Sequence, residues 1–477
     1  MPDSNNDNLP ASLLELIEQL KQVYNNDNGL DHHVSHYLPA KQLQDTLDLT
    51  LSDNGCKQIE TIAALKTYLR FTPKTWQADF NKLLFSGFDA PAVLADWITS
   101  ISNTTMHTYQ VAPVATLMEN ELISQLNRVV GFEDGGGIMV SGGSMANTVA
   151  MMLARHRKCP HIKEQGLSGQ PLVAYISELA HYSFEKSANM LGIGTQNLVL
   201  IDTDSQGRLR PDSLEKAIAK SQREQKQPFF IGLTAGTTVI GSFDPIREVA
   251  AIARRHELWL HIDGAWGGPV LFSKQHRHLL ADSTLGDSFT WDAHKLMNVP
   301  LIASAILVKD RHSLHNACGG GGGAYLFHHD ENEAYNSGTR SLQCGRRVDS
   351  LKFWLSWKTN GTLGYARKID HLMALKRYML EVIESNPQLE LLAPASFLNV
   401  LFRFVPETDV NEDQLTRLNI AICKTMLEQD LGFVDYARYK GRTGIRYILA
   451  NTELTEQHIN RFLKHCLRVA EGIPLKT

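Results

Sequence analysis

Cysteine is sparse and unpatterned in this chain. Its 477 residues hold six, Cys56, Cys159, Cys318, Cys344, Cys423 and Cys466, with no CxxC pair among them. That scatter argues against a zinc site or a disulfide framework and for free thiols in a reducing compartment. Basic charge is not in excess: the net charge is −4, so nothing suggests nucleic acid as a partner. No apolar run approaches the length of a membrane span; the longest candidate, residues 299–308, is of strand length. The first ten residues are polar and acidic and lack the basic start and apolar centre of a secretory leader. Internal repeats are absent, and the one low-complexity feature is the run of five glycines at 319–323. These absences leave a soluble, cytoplasmic protein as the expectation.

What is present is ordinary globular composition, 43% hydrophobic and 21% charged, in a chain long enough for two or more lobes. Apolar residues recur at helical spacing over 11–24, 58–69 and 91–102, amphipathic helices with no evident core of their own. Strand-like runs then fall at 137–140, 172–176, 198–201, 229–233, 259–262, 288–291 and 302–308, with helical patterns such as 212–224 and 245–256 between most of them. Buried strands separated by helices predict an α/β fold, a mainly parallel seven-stranded sheet covered on both faces. Helix 347–359 is expected to close this part. A long helix (372–384), strands at 399–405 and 444–449 and a helix at 455–471 follow, a smaller α+β lobe. The expected division is a helical segment over 1–105, a large domain over 106–365 and a small domain over 366–477.

Chemistry concentrates at residues 288–300, SFTWDAHKLMNVP. Lys295 sits between an aromatic β-type run and an apolar run, and a buried ammonium is costly unless paired or neutralised. It could snorkel to the surface, pair with Asp292, or form a Schiff base with an aldehyde cofactor. Upstream, LWLHIDGAWGG (258–268) is a short strand ending in Asp263. A carboxylate at that place points into the crevice where α/β sheets bind ligands, and could hold the pyridine nitrogen of pyridoxal phosphate protonated. VSGGSMANT (140–148) follows a strand and opens a helix. Small residues there allow backbone N–H groups to close on a phosphate, although an ordinary glycine turn reads the same way. Asp244 before Pro245 reads as a helix cap.

With these segments stand NTTMHTYQVAP (103–113), SELAHYSFEKSANMLGIG (177–194), GTTVIGSFDP (236–245) and the stretch 324–345 with YLF and SLQCG. Together, from about Thr75 onward, they resemble the group II pyridoxal-phosphate-dependent amino-acid decarboxylases, with most likeness to glutamate and cysteine sulfinate decarboxylases. The resemblance implies a fold-type-I architecture and an enzyme that converts an amino acid to an amine and CO2. It implies that Lys295 carries the cofactor and that Asp263 faces the pyridine nitrogen. His181 would stack on the ring, Gly143, Ser144, Met145 and His294 would meet the phosphate, and Thr238 and Ala265 would complete the cofactor site. Tyr325, after the five glycines, matches the tyrosine of a mobile loop that returns a proton to the substrate. Arg446 matches an arginine that holds a substrate carboxylate. The family is homodimeric, its front segment wrapping the partner subunit.

Substrate choice is less determined. Residues 80–89, FNKLLFSGFD, resemble a substrate-contacting loop in which glutamate decarboxylases place a glutamine and a serine. Aligned from Gly87, this chain has Leu83 and Phe85 there. A small polar amino acid is expected, an acidic one (aspartate, glutamate or cysteine sulfinate) first, with L-2,4-diaminobutyrate as the alternative. A catalytically silent homologue acting through binding is the competing class, disfavoured because Lys295, Asp263, His181 and Tyr325 are all retained.

Overall fold

The computed structural model describes residues 34–320 and 330–474, with Glu18 and Leu326 as isolated positions. The helix expected over 11–24 and the catalytic-loop candidate Tyr325 lie outside the described residues. Three helices lead in, α1 (Ala40–Thr46), α2 (Gln58–Phe71) and α3 (Ala90–Ser102). Among the described residues α1 buries no side chain, and Leu94, Trp97, Ile98 and Ile101 of α3 are exposed. After α4 (Pro113–Val130) comes the main sheet: β1 (Gly136–Val140), β2 (Leu172–Ser177), β3 (Leu198–Ile201), β4 (Gln227–Thr234), β5 (Trp259–Asp263), β6 (Ser288–Asp292) and β7 (Ser304–Val308). Their spatial order is β1-β7-β6-β5-β4-β2-β3, with β7 antiparallel to both its neighbours and the other pairs parallel.

Alternating side chains explain the two-faced burial. Every residue of β2 is buried, yet Val173 and Tyr175 join one apolar core while Ala174 and Ile176 join another. Helix α5 (Gly143–Lys158) lies across the second face, against Ile138 and Phe230. The first face is covered by α4, by α6 (Pro211–Arg223) and α7 (Ile246–Arg255), and by part of α8 (Asp349–Glu384).

Several expectations need correcting at their edges. The two helices read at 347–359 and 372–384 form one 36-residue helix, α8, interrupted where Gly361 adopts φ 65° and ψ 167°. The last strand of the sheet starts at Ser304 and not at 302, because Ala303 is occupied in holding the preceding turn. The second sheet has four strands, not two: β8 (Leu389–Leu391), β9 (Asn399–Phe404), β10 (Asp435–Tyr439) and β11 (Arg442–Ile448), in order β10-β11-β9-β8 and antiparallel throughout. β8 is too short to show a period, and the edge strand β10 is polar, with Tyr436 and Arg438 exposed. Asp244 does not cap α7. It is buried and accepts hydrogen bonds from Leu209 N (2.7 Å) and Thr234 N (2.8 Å), a cross-link between the segment before α6 and the end of β4, with its carboxyl pushed up to about 6 by burial. Helices α9 (Glu412–Glu428) and α10 (Glu456–Gly472) pack on the second sheet. No helix among the described residues is long and apolar enough to cross a membrane.

Candidate active site

The sequence-identified groups emerge at one edge of the main sheet. Val140 ends β1 before the glycine turn, Ser177 ends β2 before His181, Asp263 ends β5 and Asp292 ends β6. All four strands run in one direction, so these are carboxyl ends, the side where α/β sheets open a ligand crevice.

Lys295 follows β6 in a tight turn. Ala293 N donates to Ala303 O at 2.8 Å, Lys295 N to Asp292 O at 3.3 Å and Val299 N to Ala293 O at 3.3 Å. The Lys295 ammonium lies 3.1 Å from Asp292 Oδ2, so the pairing with Asp292 weighed from the sequence is present. Asp292 is buried, and its Oδ1 accepts from Ser304 Oγ at 2.6 Å. His294 is buried, with Ala303 N donating to its Nδ1 at 3.2 Å and its Nε2 3.8 Å from Asp292 Oδ2. Burial lowers its pKa, so the ring is held neutral.

Asp263 is buried as well. Its Oδ1 accepts from Ala265 N at 3.1 Å and its Oδ2 from Asn147 Nδ2 at 2.8 Å. No Lys, Arg or His nitrogen of the described residues comes within 4.0 Å of it. A buried carboxylate that accepts two neutral donors but has no cation is suited to receive one. His181 follows β2; Ser183 N donates to its Nδ1 at 3.2 Å. Burial lowers its pKa, while Asp263 raises it and Lys295 lowers it, which places the three groups within electrostatic reach of one another.

At the start of α5, Gly142 has φ 112° and no side chain caps the helix. A Cβ on Gly143 would stand 2.6 Å from Asp292 Oδ2, so only glycine lets α5 approach β6 this closely. Ser144 is exposed and Met145 half-buried beside it. An uncapped helix start with backbone N–H groups and a positive-φ glycine has the form of a phosphate cradle. The cradle, the uncompensated Asp263 and the lysine fit pyridoxal phosphate by the chemistry of their donors.

The second sheet brings the other candidates. Arg446 on β11 donates through Nη1 to Thr238 O (3.2 Å) and through Nη2 to Lys82 O (2.7 Å), while its Nε is buried without a hydrogen-bond partner. No carboxylate of the described residues lies within 4.0 Å of this guanidinium. The bond to Lys82 ties loop 80–87 to β11, as do Ile448 N to Asn81 O (3.1 Å) and Asn81 Nδ2 to Ile448 O (3.4 Å). Leu83 therefore sits next to the residue Arg446 holds, itself exposed, with Phe85 half-buried and its ring 6.1 Å from that of Phe80. Thr238 touches Arg446 through its carbonyl; Asn399 Nδ2 donates to the same oxygen at 2.9 Å.

Sequence reasoning missed Asn147 and Asn298. Asn147 lies one helical turn beyond Gly143, a spacing that puts both on one face of α5. Asn298, at φ 59°, donates to Ala450 O at 3.0 Å and to Ser86 O, joining the lysine turn to loop 80–87 and to the end of β11.

The pyridoxal-dependent decarboxylase conserved domain matches residues 40–405. The chain belongs to that family, and it is a pyridoxal-phosphate-dependent amino-acid decarboxylase, a lyase. The acidic amino acid decarboxylase of Homo sapiens is 34% identical over 455 residues, 93% of this chain and 87% of that protein. Human cysteine sulfinic acid decarboxylase is 36% identical over 456 residues, 93% of this chain and 92% of that protein. The crystal structure of mouse CSAD matches with a TM-score of 0.93 at 34% identity, covering 97% of this chain and 99% of that one. The fold is thus the fold-type-I α/β architecture with a small C-terminal sheet.

Proposed function

We propose that this enzyme removes the α-carboxylate of a short acidic L-amino acid, aspartate or cysteine sulfinate ahead of glutamate, releasing the amine and CO2. The observation that carries the binding of a substrate carboxylate is Arg446, a desolvated guanidinium fixed by two backbone carbonyls and without a carboxylate within 4.0 Å among the described residues; it does not by itself choose among amino acids. A buried cation so held is completed by an anionic substrate group. The relatives described as acting on acidic amino acids and on cysteine sulfinic acid support the same class. Leu83, next in sequence to the residue Arg446 holds, and Phe85 in the same loop offer no polar group to a long side chain's charged end, which would favour the shorter acids. L-2,4-diaminobutyrate would need a free acidic group nearby. Asp435, opposite Arg446 in the β10–β11 register, is already paired with Lys82 at 3.4 Å.

In this reading Lys295 would hold pyridoxal phosphate through its aldehyde. When bound, pyridoxal phosphate supplies an electron sink for the pair left behind as CO2 departs. Asp263 would keep a proton on the pyridine nitrogen, with Ala265 N helping to aim the carboxylate, and neutral His181 would face the ring. Gly143, Ser144 and Met145, with His294, receive the phosphate. Thr238 positions Arg446 through its carbonyl. Tyr325 returns a proton to the substrate α-carbon.

The exposed apolar face of α3 and the absence of buried side chains in α1 support pairing with a second copy of the chain. Six unpaired cysteines support a reducing compartment, the cytoplasm. The division at residues 105 and 365 remains our reading of the domains, the second boundary falling four residues past the break at Gly361.

A CO2-release assay across aspartate, cysteine sulfinate, glutamate and 2,4-diaminobutyrate tests the assignment. Turnover confined to 2,4-diaminobutyrate would overturn it. The Leu83→Gln/Phe85→Ser double variant should move preference toward glutamate. An even loss on every substrate would show that the loop supports the fold and does not select.

A further inference from the structure

Three polar side chains stand on one face of β5, at alternate positions: Trp259, His261 and Asp263, facing α5. β6 repeats the pattern beside them with Ser288 and Thr290, and all five are buried. Asn147 of α5 lies over both strands. In a sheet face that is otherwise an apolar core, such a line of polar groups must be fully hydrogen-bonded to be tolerated.

It is, and in one direction. The Trp259 indole, which can only donate, reaches Ser288 Oγ at 2.8 Å. Ser288 Oγ is 2.8 Å from His261 Nδ1, and His261 Nε2 is 3.0 Å from Asn147 Oδ1, which also accepts from Thr290 Oγ1 at 2.8 Å. Asn147 Nδ2 then donates to Asp263 Oδ2 at 2.8 Å and to Ser183 Oγ at 2.9 Å. A carboxylate at one end can only accept, so Asn147 must turn its NH2 toward it and its carbonyl toward His261 and Thr290. His261 must then carry its proton on Nε2, leaving Nδ1 to accept from Ser288, whose oxygen is filled from Trp259. Both ends set the same polarity. Burial drives the His261 pKa down to about 3, so the ring stays neutral and the polarity does not reverse with pH in the working range.

We propose that this relay, from Trp259 through Ser288, His261 and Asn147, is a positioning device that fixes the rotamer of Asp263 and its aim at the cofactor's pyridine nitrogen. It rests on the reading of Asp263 given above. Asn147 is the positioning residue nearest the site; Ser288 acts through two intermediaries and touches neither cofactor nor substrate. The strand rise puts Trp259 about 13 Å from Asp263.

The test uses the full-length protein, loaded and cofactor-free, with variants Asn147→Leu, Ser288→Ala and Ser288→Thr. Losing a hydrogen bond to a charged group should weaken pyridoxal phosphate binding to the cofactor-free protein about ten- to hundredfold in Asn147→Leu. The turnover number should fall with KM little changed, and the pH midpoint of the loaded enzyme's visible absorption should move. Ser288→Ala should move all three readouts the same way by less, and Ser288→Thr, which keeps the hydroxyl, should restore them. If Asn147→Leu does not fold, the Ser288 pair decides alone. Lowered thermal stability with unchanged cofactor affinity and absorption midpoint would make these residues structural only and overturn the proposal. Asp263→Asn separates the two layers. If it leaves affinity, midpoint and turnover intact, the reading of Asp263 fails. If it changes them while the Ser288 and Asn147 variants do not, only the relay fails.

Discussion

Replacing Lys295 with alanine should have two separable consequences. The first is chemical: borohydride should fix pyridoxal phosphate to the Lys295 peptide of the wild-type protein and to nothing in Lys295→Ala. The second is electrostatic. In the cofactor-free protein the ammonium is 3.1 Å from Asp292 Oδ2, and Asp292 is buried. At an effective dielectric near 20 that separation corresponds to ~5 kcal/mol of attraction. Removing one member of a buried pair costs about 3–5 kcal/mol, because the other charge stays behind. Lys295 is about one-fifth exposed, and Asp292 keeps the hydroxyl of Ser304 and the ring of His294 nearby. The low end applies, a loss of about 3 kcal/mol, read as a lower urea midpoint at unchanged slope. Adding Asp292→Asn removes the stranded charge, so the double variant should recover most of that loss. A covalent adduct persisting in Lys295→Ala would refute the chemical assignment. A double variant no more stable than the single one would refute the electrostatic account.

Tyr325→Phe should still release CO2 but misdirect the returning proton in part of its turnovers, giving an aldehyde and activity that decays unless cofactor is supplied; normal amine yield without decay would assign the proton to another group. His261, His181 and His294 all have pKa values lowered by burial. Below the unfolded value of 6.5 the unfolded chain binds protons that the folded one does not, so stability falls as pH falls. For His261, with its pKa near 3, lowering pH from 6.5 to 5 should cost about 2 kcal/mol, and His261→Gln should flatten that slope in urea titrations. Deleting residues 1–70 should lower solubility and activity together and yield a monomer by sedimentation; a fully active monomer would remove the dimer from the proposal.

Much of this was legible in the sequence because strand ends are where a period-two pattern stops and chemistry begins. Lys295 and Asp263 stood out as charges following apolar runs. Asn147, His261 and Ser288 did not, since each sits inside an element whose period was already explained by its apolar neighbours. Their meaning depends on a helix crossing two strands, which no local window contains. Asp244 was misread for the opposite reason: Asp-Pro before a helix has a sufficient local explanation, and the tertiary demand of the Leu209 and Thr234 N–H groups overrode it. β10 escaped because an edge strand with one polar face carries little apolar alternation.

Helix α5 shows why the parts of the site are not independent. Its first turn is the proposed phosphate cradle and its next turn carries Asn147, about 6 Å further along the axis. Both positions depend on one close approach, that of Gly143 to Asp292 at the end of β6, which leaves no room for a Cβ. Asp292 in turn holds Lys295 through its other contact. Any side chain at 143 would have to displace the Asp292 carboxylate that seats the lysine or lift the helix from β6, and lifting it would open the cradle and lengthen the reach from Asn147 to Asp263. The phosphate, the pyridine nitrogen and the aldehyde carbon lie at three corners of one rigid cofactor. In the proposed reading, a single helix–strand contact therefore sets the register of all three groups that would meet them.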